Sequence, residues 1–163
     1  MVVFGVIHLL ALLVFLPYLF TWTGVICFVI SVFVFGLLGI PIAFHRMLAH
    51  RSMLAHRSFK SPKWFERTLV MLAMCTAQET PARWVAWHRK HHTSSDEQQD
   101  PHSRRVSFFW SHMDWLLHDS PSTLSTFSLY QKYSKDILED PYYRWIERLP
   151  HPAGMIFFTH AIV

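Results

Sequence analysis

Histidine is the residue whose number and spacing first suggest chemistry. There are 12 in 163 residues, and five of them fall into two groups, His45 with His50 and His88 with His91 and His92. On a helix, positions i, i+3 and i+4 lie within about 100° of arc on one face. His88, His91 and His92 can therefore project three imidazoles toward a common metal centre, with Arg89 and Lys90 off that face. His45 and His50 are i and i+5, about 140° apart on a regular helix. That pair could flank a two-metal site, or grip an ion where the helix end unwinds, but not from a straight helix face. The competing reading is a basic patch for nucleic acid or lipid headgroups. Three imidazoles on one face would repel one another when protonated and anchor poorly when neutral, which favours metal. Imidazole suits zinc, copper, iron and nickel alike. The His-Glu-x-x-His and Cys-rich patterns of zinc sites are absent from the sequence, so a redox iron site is the more natural reading. Cys27 and Cys75 each lie in an apolar run and read as two buried thiols acting as small hydrophobes.

The elements that must carry these histidines are set by charge. Residues 1–44 contain no Lys, Arg, Asp or Glu, while all 15 basic residues lie between Arg46 and Arg148 and all 11 acidic ones between Glu66 and Glu147. A plain soluble domain is excluded. The net charge of +4 then belongs at a membrane surface rather than on nucleic acid. One span needs about 20 residues, and Thr21-Trp22-Thr23-Gly24, with Pro17 just before, breaks the apolar stretch in two. The pattern predicts a transmembrane hairpin of helices 2–20 and 25–44. A cleaved leader is the rival for the first segment, but the basic start and small-residue cleavage site are missing. The hairpin returns both ends to one side, and the Arg-rich chain from Arg46 marks it as cytoplasmic. His8 reads as a packing residue.

Residues 45–150 are mixed, aromatic and His-rich. Thr68 to Ala77 is apolar for only ten residues, which suits a buried or interfacial helix rather than a crossing. Trp64, Trp84, Trp87, Trp110, Trp115 and Trp145 suit a cap lying against headgroups. Asp96 to Asp100 and Ser120 to Ser128 read as solvated loop. Residues 152–163 turn apolar again, as the first half of a third span, so the chain reads as a fragment. The expected fold class is all-α: an integral membrane hairpin, a His-rich cytosolic helical cap, and the start of a third span.

His45-Arg46-x-x-x-His50, His88-x-x-His91-His92, Asp100-Pro101-His102 and Phe109-Trp110-Ser111-His112-Met113-x-Trp115-Leu116-Leu117 together resemble the membrane fatty acyl desaturases of the Δ9, stearoyl-CoA type. The resemblance runs through nearly the whole chain. It implies a multi-pass, all-helical membrane protein whose cytosolic cap holds two iron ions in three histidine boxes. It also implies insertion of a cis double bond into a long-chain acyl substrate, using O2 and two electrons from a cytochrome b5-like or ferredoxin donor. On this resemblance His45 and His50 are the metal ligands of box one, and His88, His91 and His92 those of box two. No catalytic side chain is expected beyond the ligands. Gln78 and Trp84 fall where the family lines its bent substrate tunnel. His102 and His112 match family positions outside the boxes, and His118, His151 and His160 read as surface or packing residues. The implied partners are a fatty acyl substrate, membrane lipid and the electron donor, with no nucleic acid.

Three departures qualify the resemblance. The third box, His-Asn-x-His-His, does not occur, and the chain has no Asn at all. Animal members place Arg-Asp before box two and Arg-Lys after Trp-Leu-Leu; here Ala86-Trp87 and Asp119-Ser120 stand there, leaving acyl-CoA and acyl-lipid both open as the carrier. Finally, Met47 to Ser52 is followed at once by an identical hexapeptide, Met53 to Ser58. Six extra helical residues would add about 9 Å and about 240° of rotation, whereas ligand distances tolerate only about 0.2 Å. The spacing predicts His50 as the ligand and His56 as a displaced copy, with the insert bulging at Arg51–Met53. Two rivals stay open: a related di-iron hydroxylase or monooxygenase, and an inactive membrane fragment that binds metal only partially.

Overall fold

In a computed structural model of the chain, the described residues are 6, 9–50, 61–76, 78–95, 97, 100, 102–112 and 125–148. Among them all regular structure is helical. Outside them lie the second copy of the repeat with His56, the expected bulge at Arg51–Met53, Trp115, Asp119-Ser120 and the expected third span at 152–163.

The first expected span is not one continuous α-helix. Short 3₁₀ turns form at Leu12–Phe15 and Pro17–Leu19, with Leu16 extended between them (φ −81°, ψ 118°). The cause is local: the ring of Pro17 clashes with helical geometry at the residue before it. The break expected at Thr21 is present. Extended Thr21 accepts a hydrogen bond from Gly24 N–H at 3.0 Å, which satisfies one of the donors that a helix start leaves free.

Helix α1 follows over Trp22–Ala49, beginning three residues before the expected 25 and carrying on past 44. Among the described residues it is the one helix long and apolar enough to cross a membrane by length and composition. It is α-helical over Trp22–Ser31 and winds more widely, as a π-helix, over Val32–Ala49. Pro41 lies inside the wider part, where it can donate no hydrogen bond and would clash with the carbonyl four residues back in an α-helix. Trp22, Phe28, Phe33 and Leu37 are exposed, whereas Ala43, Phe44, Met47, Leu48 and Ala49 are buried. The apolar helix thus faces outward at its start and into the protein at its end. Cys27 is exposed on it and Cys75 is half-buried, so the reading of two buried thiols is corrected: an apolar run marks a helix, not the side of it that is covered.

α2 (Lys63–Met74) buries Glu66, Leu69, Val70, Ala73 and Met74, the three-and-four spacing of one helix face. It lies directly on α1. A Cβ on Gly39 would stand 2.6 Å from Ala73 Cα, so the missing side chain is what lets the two backbones touch. α3 (Pro81–Thr93) opens with Pro at its first turn, where the absent N–H costs nothing. The short α4 (Phe108–His112), α5 (Thr126–Tyr133), α6 (Lys135–Leu138) and α7 (Pro141–Arg148) follow. Phe44, Leu48, Val70, Val85, Ile137, Tyr143 and Ile146 form the core where α1, α2, α3 and the last two helices meet. Tyr143 donates to buried Glu66 at 2.7 Å, and Asp140 holds Lys63 and Arg67 at 3.1 and 3.3 Å.

Two stretches read as solvated loop differ at their ends, while Glu97 and Ser125 to Ser128 are exposed as that reading has them. Ser125 caps α5 by accepting from Ser128 N–H at 3.2 Å, so 126–128 are helical. Asp100 is buried, with 1% of its side chain exposed. Trp64 and Trp145 are exposed, and Trp84, Trp87 and Trp110 half-buried.

Candidate metal centre

The end of α1 and one face of α3 bring four histidines together. One ring nitrogen from each of His45, His50, His88 and His92 lies within 4.8 Å of all the others. His45 Nε2 and His50 Nε2 are 3.1 Å apart, and His88 Nε2 and His92 Nε2 are 3.0 Å apart. The first pair meets because of the wide winding. His50 N–H donates to His45 C=O at 3.1 Å, an i→i+5 bond. In a helix closed that way, residues five apart stack above one another rather than standing about 140° apart as on an α-helix. The second pair meets as i, i+4 on regular α-helix.

Nitrogens around a tetrahedral ion with bonds of about 2.1 Å are separated by roughly 3.4 Å. The two closest pairs, at 3.1 and 3.0 Å, are near that spacing and all four donors lie within 4.8 Å, and imidazole suits a redox iron. His50 is buried, His45 and His88 half-buried and His92 exposed. Burial, reinforced by His92, His45, His50 and His91, lowers His88 from 6.5 to about 3. Burial also lowers His92, with His91 adding to it. Both rings are thereby held in the neutral form that a metal requires.

His91 does not converge with its two neighbours. It belongs to a second group with Asp100 and His102, whose ligand atoms also lie within 4.8 Å of one another. Its Nδ1–H donates to Asp100 Oδ1 at 2.9 Å, and the His91 and His102 rings are 4.2 Å apart. Asp100 also accepts from His102 N–H at 3.1 Å. A carboxylate on one nitrogen of a histidine fixes its tautomer and makes Nε2 the acceptor atom, which here faces Ser95 Oγ at 3.4 Å. Asp100 and His102 were legible only as a motif, Asp100-Pro101-His102; nothing local tied them to His91.

Trp84 stacks on His88, with ring centres 4.7 Å apart and planes 19° from parallel, and it also touches Phe44 at 5.5 Å. Its indole N–H donates to Gln78 Oε1 at 3.2 Å. The two residues expected to line the substrate path therefore contact each other beside the histidines. His56 lies outside the described residues.

The chain is 38% identical over 142 residues to sn-1 stearoyl-lipid 9-desaturase of Anabaena variabilis, which takes in 87% of the chain and 48% of that protein. It is 36% identical over 160 residues to the sn-1 stearoyl-lipid 9-desaturase of a Synechocystis strain, across 96% of the chain and 47% of the relative. Against Delta-9 acyl-lipid desaturase 2 of Arabidopsis thaliana it is 37% identical over 155 residues, 93% of the chain and 47% of the relative. The chain spans about half the length of these curated relatives. No family model matches it. No solved structure matches it.

Proposed function

Because the chain belongs to the fatty acyl desaturase family, we propose that it supplies the first two histidine boxes of a membrane di-iron acyl desaturase. The activity is O2-dependent insertion of a cis double bond, at the Δ9 position, into a long-chain acyl substrate. The observation that carries this reading is the meeting of His45 and His50 with His88 and His92.

Bound iron would supply the O2 chemistry that breaks unactivated C–H bonds, which no side chain can do. The chain's own residues hold and orient. His45, His50, His88 and His92 would grip one ion with neutral imidazoles. His91, turned by Asp100, would present Nε2 toward the second, which a third box is needed to complete. Trp84 and Gln78 would form a wall of the acyl path, holding one methylene pair beside the metals and keeping water away. The carrier reads as acyl-lipid, since the relatives named above are stearoyl-lipid and acyl-lipid desaturases and the acyl-CoA pattern is missing at Ala86-Trp87. Residues 2–20 and α1 would form the membrane hairpin, with the histidines on the cytoplasmic side and a cytochrome b5-like or ferredoxin donor docking there.

The test joins the chain to a segment carrying His-Asn-x-His-His and expresses it in a host that makes no unsaturated acyl chains. Cis-Δ9 monoenes in the host lipids are the expected result. An alcohol from the same acyl chain would point to a hydroxylase instead, and bound iron with no new acyl product would overturn both.

A further inference from the structure

Arg89 sits inside box two, between His88 and His91, yet points away from both. Its side chain is 11% exposed. Nε–H donates to Ala49 C=O at 2.7 Å and Nη2 to Leu48 C=O at 3.0 Å. Nη1 donates to Tyr133 C=O at 2.7 Å and to Asp136 Oδ1 at 2.6 Å, and Nη2 reaches Asp136 Oδ2 at 3.0 Å. A guanidinium has five N–H donors in a rigid fork, and here five contacts use them.

The two carbonyls matter most. Leu48 and Ala49 end α1, where a helix leaves its last carbonyls without partners and its dipole favours a cation. They also directly precede His50. We propose that Arg89 is a positioning residue that sets box one against box two, by tying the last turn of α1 to the helix that carries His88 and His92. Asp136 grips the fork from the opposite side, fixing its plane and balancing its charge. The cation then does not oppose metal binding by the nearby imidazoles. Lysine could not replace it, having one point of attachment where the fork has three nitrogens. This role rests on the metal reading above, and a metal site tolerates distance errors of only about 0.2 Å.

The experiment uses the whole chain in lipid nanodiscs, with Co(II) as the probe and amide exchange of the metal-free chain as a second readout. Arg89→Gln and Arg89→Lys should each weaken Co(II) binding about 10- to 100-fold, as loss of groups that orient ligands does. Both should speed exchange at residues 47–50 while α2 keeps its protection, and Asp136→Asn should shift both readouts the same way by less. Arg144 provides the control. It also donates to helix-end carbonyls, of Leu138 and Glu139 at 2.9 and 3.3 Å, but touches neither box. Arg144→Gln should leave cobalt affinity unchanged, and an equal loss there would reduce Arg89 to general stability. Should Arg89→Gln not fold, Arg89→Lys and Asp136→Asn decide. Unaltered affinity in the Arg89 variants, with Co(II) bound by the parent, overturns the positioning role alone. No Co(II) uptake by the parent overturns the metal reading and this role with it.

Discussion

Glu147 Oε1 accepts a hydrogen bond from the backbone N–H of Ala82 at 3.0 Å, across 65 residues of sequence. Its Oε2 takes the hydroxyls of Thr80 and Tyr130, both at 2.8 Å. A carboxylate from α7 therefore caps the helix that presents His88, His91 and His92, in place of the local side-chain cap that Thr80 does not provide. The negative charge at a helix N-terminus is favourable in itself.

Glu147→Ala strands three donors and should destabilise the chain by about 2–3 kcal/mol, while Glu147→Gln, which keeps an acceptor but not the charge, should cost about 1 kcal/mol. Urea unfolding in detergent measures both. A Glu147→Gln variant as stable as the parent would mean that the charge contributes nothing to the cap, and equal costs for the two variants would mean that a neutral acceptor there preserves none of it.

Gly39 and Gly36 offer a matched pair on α1. A Cβ at Gly39 meets the backbone of Ala73 at 2.6 Å, and one at Gly36 meets nothing within 4 Å. Gly39→Ala must push α1 and α2 apart and should cost about 1–3 kcal/mol. Gly36→Ala should be neutral or gain up to about 1 kcal/mol from reduced chain entropy. If both substitutions behave alike in thermal unfolding, the close approach of the two helices is not as placed.

Local pattern carried the sequence reading a definite distance. The all-helical fold, the break at Thr21 and the pairing of His88 with His92 follow from charge, capping and i, i+4 spacing, all short-range properties. His45 and His50 were visible as candidates, but regular-helix arithmetic put them on different faces; only the π winding across Pro41 stacks them. The turn of His91 toward Asp100 depends on the chain folding back after α3, which no spacing announces. Glu147 on Ala82 and Arg89 on Leu48 join residues tens of positions apart, and a lone Glu or Arg carries no local mark of such a partner.

Acid should unfold the metal-free chain in a particular window. His88 has an ordinary value of 6.5 and is lowered to about 3 by burial and then by its histidine neighbours. Above pH 6.5 the ring is neutral both folded and unfolded, so it adds no pH dependence. Between 6.5 and 3 the unfolded chain takes up a proton that the folded chain refuses, so stability falls as pH falls. His92 and His102 are lowered too, which adds to the same slope. The unfolding midpoint should hold steady from pH 8 to 7 and drop between pH 6 and 4, and His88→Gln should flatten part of that drop. A midpoint that rises on acidification would contradict the neutral assignment of these rings.

The two copies of Met-Leu-Ala-His-Arg-Ser compete for one role, and the geometry favours the first. His50 lies among His45, His88 and His92, and Arg89 holds the carbonyls of Leu48 and Ala49 just before it. A straight helix from His45 to His56 would span eleven residues, about 20° in angle but about 16 Å along the axis. Because α1 ends at Ala49, that straight-helix distance does not by itself exclude His56, and the preference for His50 rests on its place among the other three histidines. His50→Ala should therefore weaken Co(II) binding by about tenfold or more, the scale of even an orienting group's loss, whereas His56→Ala should leave it unchanged. Deleting Met53 to Ser58 should preserve or tighten binding, because the insert only lengthens the path from α1 to α2. Metal titration of the three variants decides the matter. If His56→Ala costs as much as His50→Ala, or if the deletion abolishes cobalt uptake while helicity survives, the second copy is a working part and the site is built differently.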